Sequence, residues 1–195
     1  MNLSAIVCRS LLLRVADHAS AAGRSLRVLA AASCLAAALA GCQADAGVAH
    51  PRPAPEFSGT GAWFNSPPLS MSGLRGKVVL VEFWTYACIN CLHVTPQLER
   101  WHARYAEQGL VIVGVHTPEL DEERIPSNVE AAIERLGIEY PVVLDNSYKT
   151  WNAYRNQYWP ALYLVDREGN VVYRHYGEGD YDVTEREIRR LLASP

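Results

Sequence analysis

The run Val78-Val-Leu-Val-Glu-Phe-Trp84 is followed, three residues later, by two cysteines, Cys88 and Cys91. A near-continuous apolar run has no face to give to water. The strand it forms is therefore buried on both sides, as in the central sheet of an α/β protein. Val94, Leu98, Trp101 and Tyr105 then recur at spacings of four, three and four, which predicts a helix. Pro96 falls inside it, where a kink is expected, and Gly109 closes it. The cysteines thus sit at a strand-to-helix junction. Residues i and i+3 of a first helical turn lie close enough for a disulfide. So short a loop would stabilise little as a structural cross-link, and the pair reads as redox-active. Cys88, at the helix start, faces unsatisfied backbone N–H groups and the positive end of the helix dipole, both of which favour a thiolate. Cys91 lies one turn further in and suits the resolving role.

The remaining pattern extends the same architecture. Leu110 to Val115 is a second buried strand. Ser127 to Glu130 and Thr184 to Glu187 fit capping boxes that would open two more helices, the first stopping at Gly137. Val142 to Leu144 is a short strand, and Thr150 to Tyr154 one or two helical turns. Ala161 to Val165 and Val171 to Tyr176 form a hairpin across Asp166 to Asn170. The order β-α-β-α-β-α-β-β-α gives an α/β fold with a central mixed sheet flanked by helices, over residues 61–195. Length allows one such domain, since the chain has 195 residues. A hydrophobic share of 49% excludes wholesale disorder. A net charge of −3 without a long basic run excludes nucleic acid as a partner.

The N-terminal part has a different character. Residues 1–41 carry Arg9, Arg14, Arg24 and Arg27 against a single acid, Asp17. The apolar stretch Val28 to Ala40 that follows is too short to span a bilayer. A basic segment, a short apolar one and small residues at its end describe a secretory signal. Leu39-Ala40-Gly41-Cys42 resembles the lipobox of bacterial lipoproteins, which implies cleavage before Cys42 and lipid on its thiol. Gln43 after that cysteine implies the outer membrane in the lipoproteins of Gram-negative bacteria. Removing residues 1–41 takes away four of the eighteen basic and one of the twenty-one acidic residues, so the net charge goes from −3 to −6. Cys8 and Cys34 leave with the signal, and Cys88 and Cys91 remain as the only free thiols. Residues 42–60, rich in Ala, Pro and Gly, are expected to be the lipid anchor and a flexible linker.

The segment Glu82 to Cys91, with Pro96 five residues after the second cysteine, resembles the active-site segment of the thioredoxin superfamily. It is most similar to the TlpA/ResA-like extracytoplasmic branch and to the C-terminal thioredoxin-like domain of DipZ-type proteins. Gly114 to Glu119, Asp145-Asn146, Thr150 to Tyr154, Tyr158 to Ala161 and Tyr163 to Asp166 carry the same resemblance. It implies a thioredoxin-like fold and a thiol–disulfide oxidoreductase that reduces protein disulfides through the Cys88/Cys91 dithiol. Ala87 stands where many thioredoxins have Trp, and Ile-Asn replaces Gly-Pro between the cysteines; both bear on the potential. The family's cis-proline maps to Pro160, against the plainer reading of a trans bond. Trp159, Pro160 and Trp84 are the expected substrate-binding residues. An acid at Glu82 is expected to carry a proton to or from Cys91, against the plainer reading of an ion pair with Lys77.

The implied partners are disulfide-bearing client proteins, a membrane electron-transfer partner that recharges the dithiol, and the membrane itself through the anchor. The DipZ-type membrane domain is not in this sequence, so the electron partner is expected to be a separate protein. No metal or other cofactor is expected. Two alternatives stand beside this. A thiol peroxidase would need Pro-x-x-x-Thr-x-x-Cys, and Thr85 fits while Val81 does not. A Cu or Zn chaperone would use the two thiols with His93 or His116. The acidic cluster Glu119-Leu-Asp-Glu-Glu123 is expected to be a solvated loop that tunes partner choice by charge.

Overall fold

A strand that is apolar on both faces needs cover on both, and the chain supplies two separate cores. The computed structural model describes residues 52–194. The expected signal segment, 1–41, and the expected lipidation site, Cys42, lie outside these residues. Seven strands are present among them: β1 (Arg52–Pro53), β2 (Trp63–Phe64), β3 (Val78–Trp84), β4 (Leu110–His116), β5 (Val142–Leu144), β6 (Ala161–Val165) and β7 (Asn170–Tyr176). They form one mixed sheet in the order β1-β7-β6-β3-β4-β5-β2. Four helices accompany it: α1 (Ile89–Tyr105), α2 (Pro126–Leu136), α3 (Lys149–Ala153) and α4 (Tyr181–Ala193).

Strand β3 is parallel to β4 and antiparallel to β6, so its backbone is paired on both sides. Alternation then sorts its side chains. Val78, Leu80 and Trp84 join a core with Cys91, Leu98 and Trp101 of α1, Val129 and Ile133 of α2, and Ile188 and Leu191 of α4. Val79, Val81 and Phe83 join another with Trp151, Tyr154, Tyr163 and Met71. Glu82 has the parity of Leu80 and Trp84, and therefore points toward the α1 side.

Residues 52–60 correct the expectation of a flexible linker. β1 pairs with β7 in antiparallel register, Arg52 opposite Val171. The Glu56 carboxylate accepts the backbone N–H groups of Met71 and Ser72, each at 2.8 Å. The Thr150 hydroxyl accepts the Ser58 N–H and donates to the Ser58 carbonyl. Ala54, Phe57 and Trp63 pack on the second core. A composition of Ala, Pro and Gly hides this because the holding contacts are backbone pairing and one carboxylate.

Both expected capping boxes are also replaced. α2 starts at Pro126, with Ile125 as its cap residue and no side-chain cap. Proline fits the first helical position because it has no N–H to leave unpaired and its φ is already helical. α4 starts at Tyr181, so Thr184 lies inside it, fully buried, with its hydroxyl 2.9 Å from that of Tyr173. α1 runs unbroken from Ile89 to Tyr105 through Pro96. A short turn then ends at Gly109, whose φ of 101° suits glycine.

Candidate active site

The dithiol lies where β3 hands over to α1. Thr85, Tyr86 and Ala87 form the connection, and Cys88 is the N-cap residue of the helix, with φ −78° and ψ 111°. Its Sγ accepts the backbone N–H of Cys91 at 3.4 Å, so the sulfur occupies the position a capping oxygen would take. Cys88 is half-buried, Cys91 is fully buried, and both thiols are free. Burial pushes the Cys91 thiol well above its ordinary range, and contact with Cys88 and the charge of Glu82 act in the same direction. Cys88 is thus the outer sulfur and Cys91 the inner one.

Glu82 is fully buried, opposite Gly114 of β4 and Leu162 of β6. Among the described residues no base pairs with it, and Tyr140 is its hydrogen-bond partner in place of Lys77. Its Oε2 accepts the Tyr140 hydroxyl at 3.1 Å, and Oε1 has no partner. Desolvation pushes its carboxyl up to about 8, against a smaller lowering by the Tyr140 hydrogen bond.

The Trp159–Pro160 bond is cis. Pro160 is buried and its carbonyl accepts the Gly177 N–H at 2.8 Å, while Trp159 is half-buried. The Trp159 indole N–H donates to the Thr117 carbonyl at 3.0 Å, and its ring lies 4.0 Å from that of Trp151. Trp84 corrects the expectation. It is fully buried in the α1-side core with its ring edge-on to His116, so no client can touch it. Parity decides this, since β3 residues of that parity all point under α1.

The acidic cluster is the largest departure from the sequence reading. Glu123 is fully buried rather than solvated. Its Oε1 accepts the Thr85 hydroxyl and the Ala87 N–H, the latter at 3.0 Å. Its Oε2 accepts the N–H groups of Glu119 and Leu120 at 2.7 and 3.0 Å. One carboxylate thereby ties the three residues ahead of Cys88 to the loop after β4. That loop is also held by the Tyr148 hydroxyl on the Pro118 carbonyl and by the Thr117 N–H on the Trp84 carbonyl at 3.0 Å. No local signal distinguishes Glu123 from its exposed neighbours Asp121 and Glu122. Because Thr85 gives its hydroxyl proton to Glu123, that proton is not directed at the Cys88 sulfur.

The histidines do not converge on the thiols. His93 is exposed and its Nδ1 lies 3.0 Å from the Glu178 carboxylate. His116 is fully buried between Trp84 and a stacked Tyr86, with neither ring nitrogen paired. Burial lowers its ionisation to about 4. Among the described residues no three His, Cys, Asp or Glu side chains converge as a metal site would require.

A family model described as the AhpC/TSA family matches residues 51–174. The chain belongs to the AhpC/TSA family. Its fold within that family is thioredoxin-like: a solved thioredoxin-like superfamily protein superposes with a TM-score of 0.69 at 30% identity, covering 74% of this chain and 98% of that one. Protein DipZ of Mycobacterium tuberculosis is 49% identical over 142 residues, 71% of this chain and 20% of that protein. The chain thus spans about a fifth of the length of DipZ. Thiol-disulfide oxidoreductase YkuV of Bacillus subtilis is 28% identical over 142 residues, covering 73% of this chain and 95% of YkuV. The AhpC/TSA match begins at residue 51, next to β1, in keeping with the docking of residues 52–60 onto the domain.

Proposed function

We propose that this chain is a thiol–disulfide oxidoreductase that reduces client disulfides outside the cytoplasm through Cys88 and Cys91, tethered to the membrane by lipid on Cys42. The observation that carries the reading is the pairing of a half-exposed Cys88 sulfur at the N-terminus of α1 with a fully buried Cys91 one turn behind it. The name of the full-length relative YkuV supports the same chemistry. Ile89, between the cysteines, is 62% exposed and offers apolar surface to a client beside the sulfur, and Tyr158, next to Trp159, is 53% exposed.

In the forward reaction the Cys88 thiolate attacks one sulfur of the client disulfide. A mixed disulfide forms and the other client sulfur leaves as a thiolate. Cys91 then attacks the Cys88 sulfur. Its proton passes to Glu82, the second client thiolate leaves, and the enzyme is left with a Cys88–Cys91 disulfide. Two electrons have moved to the client, and a membrane electron-transfer partner supplies two more to restore the dithiol. Export and tethering are supported by the basic and apolar N-terminal segment and by Leu39-Ala40-Gly41-Cys42. Among the described residues no helix is long and apolar enough to cross a membrane.

Trapping with Cys91→Ala tests the chemistry: clients should accumulate as mixed disulfides on Cys88. Recovery of no covalent partner, with wild-type protein also inert toward a model disulfide, would overturn the reading. The direction is set by the potential. A value near the thioredoxin figure of about −270 mV fits reduction, and one near the DsbA figure of about −120 mV reverses it. Mass analysis of membrane-extracted protein should find the lipid adduct on Cys42 and lose it in Cys42→Ser.

A further inference from the structure

The acid beneath the dithiol is not held by a base or by backbone, but by one phenol. The Tyr140 hydroxyl donates to Glu82 Oε2 at 3.1 Å, both residues are fully buried, and Oε1 is left unpaired. Tyr140 reaches Glu82 from the segment between α2 and β5 across a gap in β4. That gap is Gly114, the residue paired with Glu82. A Cβ at Gly114 would stand 3.2 Å from Tyr140 Cε2 and 2.9 Å from Trp84 Nε1. A side chain at Gly114 would force the Trp84 indole to shift and would crowd the Tyr140 ring, so glycine leaves the room in which the phenol lies over the strand. The other titratable groups facing the pair come from α1. Cys91 and Glu99 both disfavour ionisation of the Tyr140 phenol, and the His102 ring stands 6.2 Å from that of Tyr140. The neighbouring strands oppose Glu82 with Gly114 and Leu162, neither of which ionises.

We infer that Tyr140 is a positioning residue for the resolving step: its hydroxyl fixes one carboxylate oxygen of Glu82 and leaves the other, Oε1, free to take the proton of Cys91. The inference rests on the reading of Glu82 as the acceptor of that proton. The step balances within the site. The S–H bond of Cys91 breaks, its proton moves to Oε1, the Cys91–Cys88 bond forms, and the client sulfur leaves with the electron pair of the broken mixed disulfide. Throughout the transfer Tyr140 keeps its own proton. Its donation stabilises the ionised acid, the form that accepts, in a place where nothing else does so.

The test uses the reduced full chain and a symmetric nitrobenzoate disulfide that liberates a coloured thiolate. The first release reports attack by Cys88 and the second reports attack by Cys91. In the wild type the second phase should rise with pH in step with ionisation of Glu82, near the value of about 8. Tyr140→Phe keeps the ring and removes the donor. Its second phase should shift upward by about one pH unit, slowing about tenfold at neutral pH, with the first phase unmoved. A ring-fluorinated tyrosine at position 140, a stronger donor of nearly the same size, should shift it the opposite way, and it serves if Tyr140→Phe fails to fold. Glu82→Gln separates the two ideas. If Glu82→Gln slows the second phase and neither change at position 140 moves the profile, the inference about Tyr140 is wrong. If Glu82→Gln itself leaves the second phase unchanged, the proton role of Glu82 is wrong, and that of Tyr140 falls with it.

Discussion

The Glu123 carboxylate holds the backbone N–H of Ala87 at 3.0 Å, one residue ahead of Cys88. The same side chain accepts the Thr85 hydroxyl and two backbone N–H groups of its own loop, so all four partners are donors. Only a group that accepts on both oxygens satisfies them. The cap position of Cys88 thus depends on a charge that comes from 35 residues further along the chain.

Glu123→Gln should therefore behave as a disruptive change despite its similar shape. Its amide NH₂ would face two donors. The expected cost is about 2–4 kcal/mol in urea denaturation, with a changed rate of Cys88 alkylation. A variant with wild-type stability and wild-type alkylation would show that the brace is dispensable.

Glu82 should make the native state less stable as pH rises. An unfolded glutamate ionises near the ordinary 4.5, while the folded one holds its proton to about 8. Stability contributed by the protonated form is complete below the lower value and is lost through the upper one, on the order of a few kcal/mol. In Glu82→Gln, whose amide oxygen still accepts from Tyr140, chemical denaturation across this window should lose that slope.

His116 should act in the opposite sense at lower pH. Unfolded histidine protonates near 6.5 and the folded ring only near 4, so acidification between these values favours the unfolded chain. The expected loss is about 3 kcal/mol. His116→Phe keeps the aromatic contacts with Tyr86 and Trp84 and should abolish that part of the acid destabilisation. Thermal melts of the two proteins that run parallel between these pH values would refute the assignment.

Residues 52–60 should stabilise the domain. A chain beginning at Gly61 loses β1, the Glu56 carboxylate and the Ser58–Thr150 pair. Against a chain beginning at Arg52, it should be weaker by about 2–4 kcal/mol in urea. Glu56→Ala alone should account for about 1 kcal/mol or more of that.

Local pattern was enough for the central architecture. A run apolar on both faces, helical spacing after it and a hairpin signal near the end specify β3, α1, β6 and β7, because burial writes its period into neighbouring residues. The two-residue strands β1 and β2 have no period to read. The helix starts at Pro126 and Tyr181 are hidden because Ser127 and Thr184 match a capping pattern that the packed chain does not use.

The dithiol, its place at a strand-to-helix junction and the burial order of its two sulfurs all follow from the spacing of adjacent residues. What surrounds them depends on packing between distant segments. Strand register sets Gly114 beside Glu82 and so admits Tyr140, and a loop 35 residues away delivers Glu123 to the backbone ahead of Cys88. These are contacts between residues far apart in the chain. Whether a carboxylate there is buried and paired or solvated depends on which segments the fold brings together, and no local spacing encodes that.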